Sequence, residues 1–133
     1  MANITSINFV GDTHNRLAGG NIDATVRWSD DVIIGGVPVL TLTNDMGGPA
    51  GDTRVQHLEY VSMNAPDEAL FRITLGADAR ENGQNGDKLS VGENAMSLNG
   101  GTIINRVTQE NATITNSAAI GTAAGTVEVY TPA

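Results

Sequence analysis

Cysteine is absent from this chain of 133 residues, and aromatic side chains make up only 4% of it. Without cysteine the chain can form no disulfide, no thiolate metal site and no cysteine nucleophile. Because aromatic residues are few, a core has to be built mainly from valine, isoleucine and leucine. A single domain of this length buries roughly two-thirds of its unfolded surface, so it needs neither a metal nor a disulfide to fold.

Basic residues and long apolar runs are also scarce. Seven Lys and Arg residues stand against fifteen Asp and Glu residues, which gives a net charge of −8. Seven basic residues are too few to neutralise a run of phosphates or to bind an anionic bilayer. We therefore expect that neither nucleic acid nor a membrane is a partner. No segment reaches the roughly 18 apolar residues of a membrane-spanning helix. The N-terminal sequence MANITSINFV also lacks the basic and apolar regions of a signal peptide.

What the chain does contain is sixteen glycines and many β-branched residues that alternate with polar ones. The stretch Trp28–Thr43 predicts the end of one strand, a tight corner at Gly35–Gly36 and a second strand over Val37–Thr43. Trp28 is the only tryptophan and is predicted to be the centre of the core. We expect it to be surrounded by Val26, Leu40, Leu42, Phe71 and Ile73.

Alternation predicts several further strands. They are Ile4–Val10, with Ile7 and Phe9 facing inward, then Ile22–Trp28, Arg54–Ser62, Ala69–Leu75 and Thr126–Tyr130, with shorter ones at Leu89–Val91 and Ala112–Thr115. Loops are predicted at Gly11–Gly20, Asn44–Thr53 and Ala77–Asp87, and a turn at Asn64–Glu68. Short strands about ten residues apart, without helical periodicity, predict an all-β antiparallel β-sandwich.

Two further predictions concern the short segments Asn94–Ile104 and Pro66–Leu70. Asn99-Gly100-Gly101 lies between two short apolar runs, which predicts a hairpin over Asn94–Ile104. The alternative to a turn and strand at Pro66–Leu70 is a single helical turn, which would not change the fold class.

Five short motifs follow one another in an order typical of the immunoglobulin-like repeat of large bacterial surface proteins and adhesins. They are Trp28–Val32 (WSDDV), Gly36–Leu42 (GVPVLTL), Leu58–Ser62 (LEYVS), Leu70–Ile73 (LFRI) and Ala95–Ile103 (AMSLNGGTI). The chain resembles this repeat over about residues 24–115. The resemblance implies an immunoglobulin-like β-sandwich. The length of the chain predicts a single domain over residues 1–133, which adds to the repeat an N-terminal strand at 4–10 and a C-terminal extension at 116–133.

The chain departs from this family in copy number, because the repeats occur in long secreted arrays and this chain is one copy. A lone, acidic, cysteine-free domain with terminal arms looks like a phage virion protein, in particular a capsid decoration or head-fibre module. The analogy implies a non-enzymatic structural role in the virion. Its partner would be the major capsid protein or another virion protein, with homo-oligomerisation left open. The alternative is an adhesin or carbohydrate-binding module outside the cell or at its surface.

The two terminal segments are the predicted attachment. Asn116–Gly125 is small and polar and is interpreted as a linker, whereas Thr126–Tyr130 has strand alternation. Thr126–Tyr130 is either a late strand of its own sheet or an arm that pairs with a neighbour's edge, and a frayed tail is the third alternative. We expect Thr126–Tyr130 to be ordered, and deletion of Asn116–Ala133 to weaken assembly more than folding. The candidate partner-binding residues are Ile4, Ile7, Phe9, Val127, Val129 and Tyr130.

The sequence predicts no catalytic, cofactor-binding or metal-binding residue. His14 in a loop and His57 on the polar side of its strand are interpreted as surface residues. The acidic pairs Asp30-Asp31 and Asp67-Glu68 lack the spacing of a calcium-binding loop and are interpreted as solvated turns. No nucleophile elbow, Walker motif or dinucleotide-binding motif is present, so a small hydrolase is the weakest alternative.

Overall fold

A computed structural model describes residues 2–11, 13–15, 17–45, 57–75 and 88–130 of the chain. The strands are β1 (Ile4–Phe9), β2 (Thr13–Asn15), β3 (Gly20–Trp28), β4 (Val32–Gly35), β5 (Val39–Thr41), β6 (Thr43–Asp45), β7 (His57–Ala65), β8 (Glu68–Leu75), β9 (Lys88–Ser90), β10 (Met96–Ser97), β11 (Thr102–Asn105) and β12 (Thr126–Tyr130). A short helix, α1 (Ala118–Ala123), lies between β11 and β12. The all-β fold class is confirmed.

The larger sheet contains six strands in the order β1-β3-β8-β7-β5-β10, and every neighbouring pair is antiparallel. Its longest ladder joins β3 to β8 from Gly20 opposite Leu75 to Arg27 opposite Glu68. Alternation along β3 buries Ile22, Ala24, Val26 and Trp28, as predicted. A tight turn between Ala65 and Glu68 joins β7 to β8, so the predicted turn is confirmed and the helical alternative for Pro66–Leu70 is wrong.

A second sheet, which we call the smaller sheet, has four strands in the order β2-β12-β9-β6, and β11 and β4 form a separate two-stranded sheet. β12 runs antiparallel to β9 and parallel to β2, and β9 runs antiparallel to β6. The order β1-β3-β8-β7 in one sheet and β6-β9-β12 in the other is consistent with an immunoglobulin-like sandwich, whose strands A-B-E-D and C-F-G are neighbours in the same way. β2 lies within the predicted loop Gly11–Gly20, so that loop prediction is wrong over Thr13–Asn15.

The predicted strand Val37–Thr43 is divided between the two sheets. β5 pairs with β7 in the larger sheet, and β6 pairs with β9 in the smaller one. Leu42 lies between them and is fully buried. The chain therefore passes from one sheet to the other at this residue, and the crossing point lies inside the core. A single continuous strand was the wrong prediction, because alternation does not show to which sheet a residue belongs.

The predicted hairpin over Asn94–Ile104 does not form. β10 pairs with β5 and β11 pairs with β4, so the two short strands lie in different sheets. The Gly35–Gly36 corner is confirmed, because Gly36 has φ of +72°. A Cβ on Gly101 would lie 2.5 Å from the Gly35 carbonyl oxygen. The Gly35–Gly36 corner therefore packs directly against Gly101, and a side chain has no room at either place.

The N-terminal strand β1 has a bulge that changes which residues are buried. Its register with β3 shifts between Ile4 and Ser6, and an extra residue there reverses the alternation. Both Ile4 and Ile7 are therefore buried, and Phe9 is half-buried. Hydrogen bonds hold the two ends of this segment to later parts of the chain, since Thr113 N donates to Ala2 O at 2.8 Å and Phe9 N donates to Ala124 O at 3.3 Å.

The segment interpreted as a linker folds against the sandwich, so the linker prediction is wrong. Ser117 caps α1, and its Oγ accepts a hydrogen bond from Ile120 N at 3.2 Å. Asn116 is buried; its Oδ1 accepts from Ala95 N at 3.0 Å, and its Nδ2 donates to Gly92 O at 2.9 Å. Small side chains let this helix approach the chain closely, and composition alone suggested a flexible segment.

The core is one cluster of buried side chains drawn from both sheets. Trp28 is fully buried in it, and its indole Nε1 donates to Thr113 O at 3.0 Å. The buried residues Val26, Leu40, Leu42 and Phe71 belong to the same cluster, and Ile73 packs against it. This confirms the predicted core. Thr113 belongs to a segment predicted as a strand, Ala112–Thr115, which is irregular in the structure.

Some predictions fall on residues outside those that the structure describes. They include most of the loops Asn44–Thr53 and Ala77–Asp87 and the first residues of the strand predicted at Arg54–Ser62. The rest of that strand is confirmed as part of β7, where Leu58 is buried and Tyr60 half-buried. The short strand predicted at Leu89–Val91 is confirmed as β9.

Candidate functional site

Four of the six predicted partner-binding side chains lie inside the sandwich. Ile4, Ile7, Val127 and Val129 are buried, Phe9 is half-buried, and Tyr130 is 38% exposed. β12 lies between β2 and β9 in its own sheet, so it is not an arm that reaches a neighbour. The four buried side chains stabilise the chain's own fold. Of the six predicted residues, Tyr130 and part of Phe9 are exposed to solvent.

The two histidines have different surroundings. His57 is exposed, as predicted, and its Nδ1 lies 2.9 Å from Thr41 Oγ1. His14 is only 4% exposed, so the prediction of a surface residue is wrong for it. It lies on β2, which pairs in parallel with β12, and it stands opposite the buried Val129. Among the described residues, no group of three or more His, Asp and Glu side chains could hold a metal ion.

Ion pairs join neighbouring strands on the solvent face of the larger sheet. Arg72 Nε donates to Asp23 Oδ1 at 2.8 Å, and its second donor reaches Asp23 Oδ2 at 3.0 Å. These hydrogen bonds and the Asp23 charge raise the pKa of Arg72 above its ordinary value. Arg27 Nη2 also donates to Glu68 Oε2 at 2.7 Å, across the same two strands. Each ion pair places opposite charges on adjacent strands, and the attraction stabilises the register of those strands.

Apolar side chains reach the solvent on the antiparallel pair β4 and β11. Successive residues of a strand face opposite sides, so the runs Val32–Ile34 and Ile103–Ile104 must place apolar side chains on both sides. Val32 and Ile103 are buried. On the other side, Ile33 is 47% exposed and stands opposite the half-buried Ile104. The outer side of this pair is therefore apolar at its centre.

Val107, at the turn that follows β11, is 86% exposed. Its turn is tightly held, because the buried Asn105 accepts hydrogen bonds at its Oδ1 from Val107 N (2.9 Å) and Thr108 N (3.1 Å). Gln109 N donates to Asn105 O at 2.8 Å, and Arg106 N donates to Asp31 O at 2.9 Å. Val107 is thus an exposed apolar side chain on a hydrogen-bonded turn, and the Arg106–Asp31 bond ties that turn to the start of β4, two residues before Ile33. We call Ile33, Ile104 and Val107, which belong to the β4–β11 pair and its adjoining turn, the apolar face.

The surroundings of the apolar face are mainly acidic. Asp30 and Asp31 line a shallow depression together with Val107. On the other side of β11, Glu110 O accepts from Asn105 N at 2.8 Å, and Asn111 bridges to Ile104. Among the described residues beside the face, the exposed Asp30, Asp31 and Glu110 outnumber the exposed Arg106. The described part of the rim is therefore negatively charged.

The sequence contained a signal for this face. Two strands with consecutive isoleucines, VIIG and TIIN, cannot bury every apolar side chain unless both of their sides are covered. Our sequence interpretation placed the partner contact at the termini because the alternation there was clear. The exposure of Val107 has no such local signal.

Comparison of the chain with protein-family models, with curated proteins and with solved structures finds no match. No helix in the described ranges has both the length and the hydrophobicity to cross a bilayer.

Proposed function

We propose that the chain is a non-enzymatic structural protein of a phage virion, a decoration protein on the exterior of the capsid. The observation that carries the proposal is the apolar face, Ile33, Ile104 and Val107, on the β4–β11 pair and the turn that follows it. Exposed apolar side chains grouped together and surrounded by charged residues are typical of a protein-binding surface. The resemblance to an immunoglobulin-like repeat, here as one acidic copy, supports the virion as the assembly and the major capsid protein as the partner.

The construction of the sandwich suits a module that is attached as a rigid body. Both terminal strands belong to its sheets, and hydrogen bonds from Phe9 N to Ala124 O and from Thr113 N to Ala2 O fix the two ends of the β1 segment. A pre-organised surface also loses little conformational entropy on binding.

Purification of phage particles from the strain that carries the gene tests the proposal. We expect peptides of the chain in gradient-purified, DNA-filled particles, and antibody labelling of the outside of the head by electron microscopy. A deletion of the gene should leave filled heads intact but unlabelled. Recovery of the chain only from the cell surface or the medium would contradict a virion role and favour the adhesin alternative.

A further inference from the structure

We propose that the apolar face binds a different protein, whose own contact area is apolar at its centre and basic at its rim. The proposal deepens the proposed function, and it rests on that function for the source of the partner. It goes further in naming the contacting residues, Ile33, Ile104 and Val107, and the chemistry of the surface that fits them.

The apolar centre of the contact follows from the exposure of these side chains. Val107 has most of its surface in water, and Ile33 about half. Covering such side chains is favourable by roughly 25 cal/mol for each Å² of apolar surface removed from water. The turn of Val107 is already held by Asn105, so binding orders little additional backbone. Val107 is therefore suited to act as an anchor that enters an apolar pocket.

The basic rim of the partner follows from charge complementarity. Among the described residues beside the face, Asp30, Asp31 and Glu110 outnumber Arg106. A partner with lysine or arginine at its rim would be attracted, and the attraction would weaken as salt is added.

A second copy of the chain fits this surface poorly. Two copies that met face to face would bring their acidic rims together, and each chain has a net charge of −8. Like charges placed opposite each other across an interface favour a different partner. The occupant we propose is therefore a basic-rimmed protein surface of the particle.

Binding of purified chain to particles from the deletion strain tests the contact. We expect Val107→Asp to weaken binding at least about tenfold, and Ile33→Thr to weaken it several-fold. Val61→Asp is the matched control, because Val61 is 48% exposed but lies on β7 in the larger sheet, away from β4 and β11 in the sheet order. We expect that variant to bind within about twofold of wild type. Circular dichroism and melting of each variant show that the fold is retained.

The absence of cysteine allows a direct second test. Val107→Cys places a single thiol on the apolar face, and Val61→Cys places one on β7 as the control. After labelling with a thiol-linked photo-crosslinker, the Val107→Cys variant should crosslink to a particle protein, and the Val61→Cys variant should not.

Reversal of one rim charge tests the basic partner. Asp31→Lys should weaken binding about tenfold at low salt and less at high salt, because salt screens exposed charges. Glu93→Lys gives the same change of net charge at an exposed residue of the connection between β9 and β10, and it should have a small effect.

The outcomes separate the two proposals. If wild-type chain binds the particles but Val107→Asp and Ile33→Thr bind equally well, the apolar face is not the contact and the virion role stands. If both variants lose binding but Asp31→Lys binds more tightly, the inference of a basic rim is wrong. Failure of the wild-type chain to bind any particle would overturn the proposed function, and the inference with it.

Discussion

Trp28 joins parts of the chain that lie far apart in sequence. Its indole fills the core, its Nε1 donates to Thr113 O at 3.0 Å, and its backbone N donates to Asp67 O at 2.9 Å. The side chain therefore combines the largest apolar volume in the core with a hydrogen bond that satisfies a buried indole donor.

Replacement of this residue should be among the most destabilising changes in the chain. We expect Trp28→Ala to lower the free energy of unfolding by about 3–5 kcal/mol, because it leaves a cavity. Trp28→Phe keeps most of the ring but removes the donor to Thr113 O, so it should have the smaller effect. Urea denaturation followed by circular dichroism measures both. A Trp28→Ala protein as stable as wild type would contradict the core position of the indole.

Gly121 is a second residue with a clear steric role. A Cβ at this position would collide with the Val91 carbonyl oxygen and lie 3.0 Å from Gly92 O. Both are backbone atoms, which cannot move aside as a flexible side chain does. We expect Gly121→Ala to destabilise the fold by about 1–3 kcal/mol, although alanine favours helices. Thr122→Ala, on the exposed side of α1, is the control and should be neutral or slightly stabilising in thermal melts.

At the scale of elements, β12 is the strand that joins β2 to the rest of the smaller sheet. It lies between β2 and β9, and it buries Val127 and Val129. Removing it would leave β2 without its described strand partner and would take two buried valines out of the core. The sequence-based expectation that residues 116–133 serve assembly more than folding is therefore revised.

A chain that ends at Gly125 should not fold cooperatively. We expect it to lose the sigmoidal thermal transition and to be digested rapidly by trypsin and chymotrypsin under conditions that leave the full chain intact. Tyr130→Ala in the full chain is the control, because that side chain is partly exposed and its removal keeps the strand. A truncated chain that still melts cooperatively near the wild-type temperature would show that β12 is dispensable for the sandwich.

At the scale of the whole molecule, the charge of −8 raises the question of bound cations. The acidic residues lack calcium-loop spacing, so we expect 5 mM calcium to change the melting temperature by less than about 1 °C relative to magnesium. A real site filled at a hundred times its dissociation constant would add about 2.7 kcal/mol, which is several degrees for a domain of this size. A calcium-specific rise of that size would show that acidic side chains converge on an ion.

The sequence by itself determined the fold class and the centre of the core. Residues on β3 alternate cleanly, and the period of a strand is a local property that neighbouring residues encode. The turn between β7 and β8 and the corner at Gly36 were predictable for the same reason, since turn chemistry acts over a few residues.

Only the tertiary structure decided which strands pair and which apolar residues remain exposed. The chain crosses from one sheet to the other at Leu42, and β11 pairs with β4 rather than with β10. Both outcomes depend on contacts with segments that are distant in sequence. The buried His14 lies on β2, which pairs in parallel with a strand near the other end of the chain, and no local pattern reveals this pairing. The apolar face exists for the same physical reason. The consecutive isoleucines indicate that both sides of the pair are apolar, but only the packing of the whole sandwich determines which side is covered and which is left to a partner.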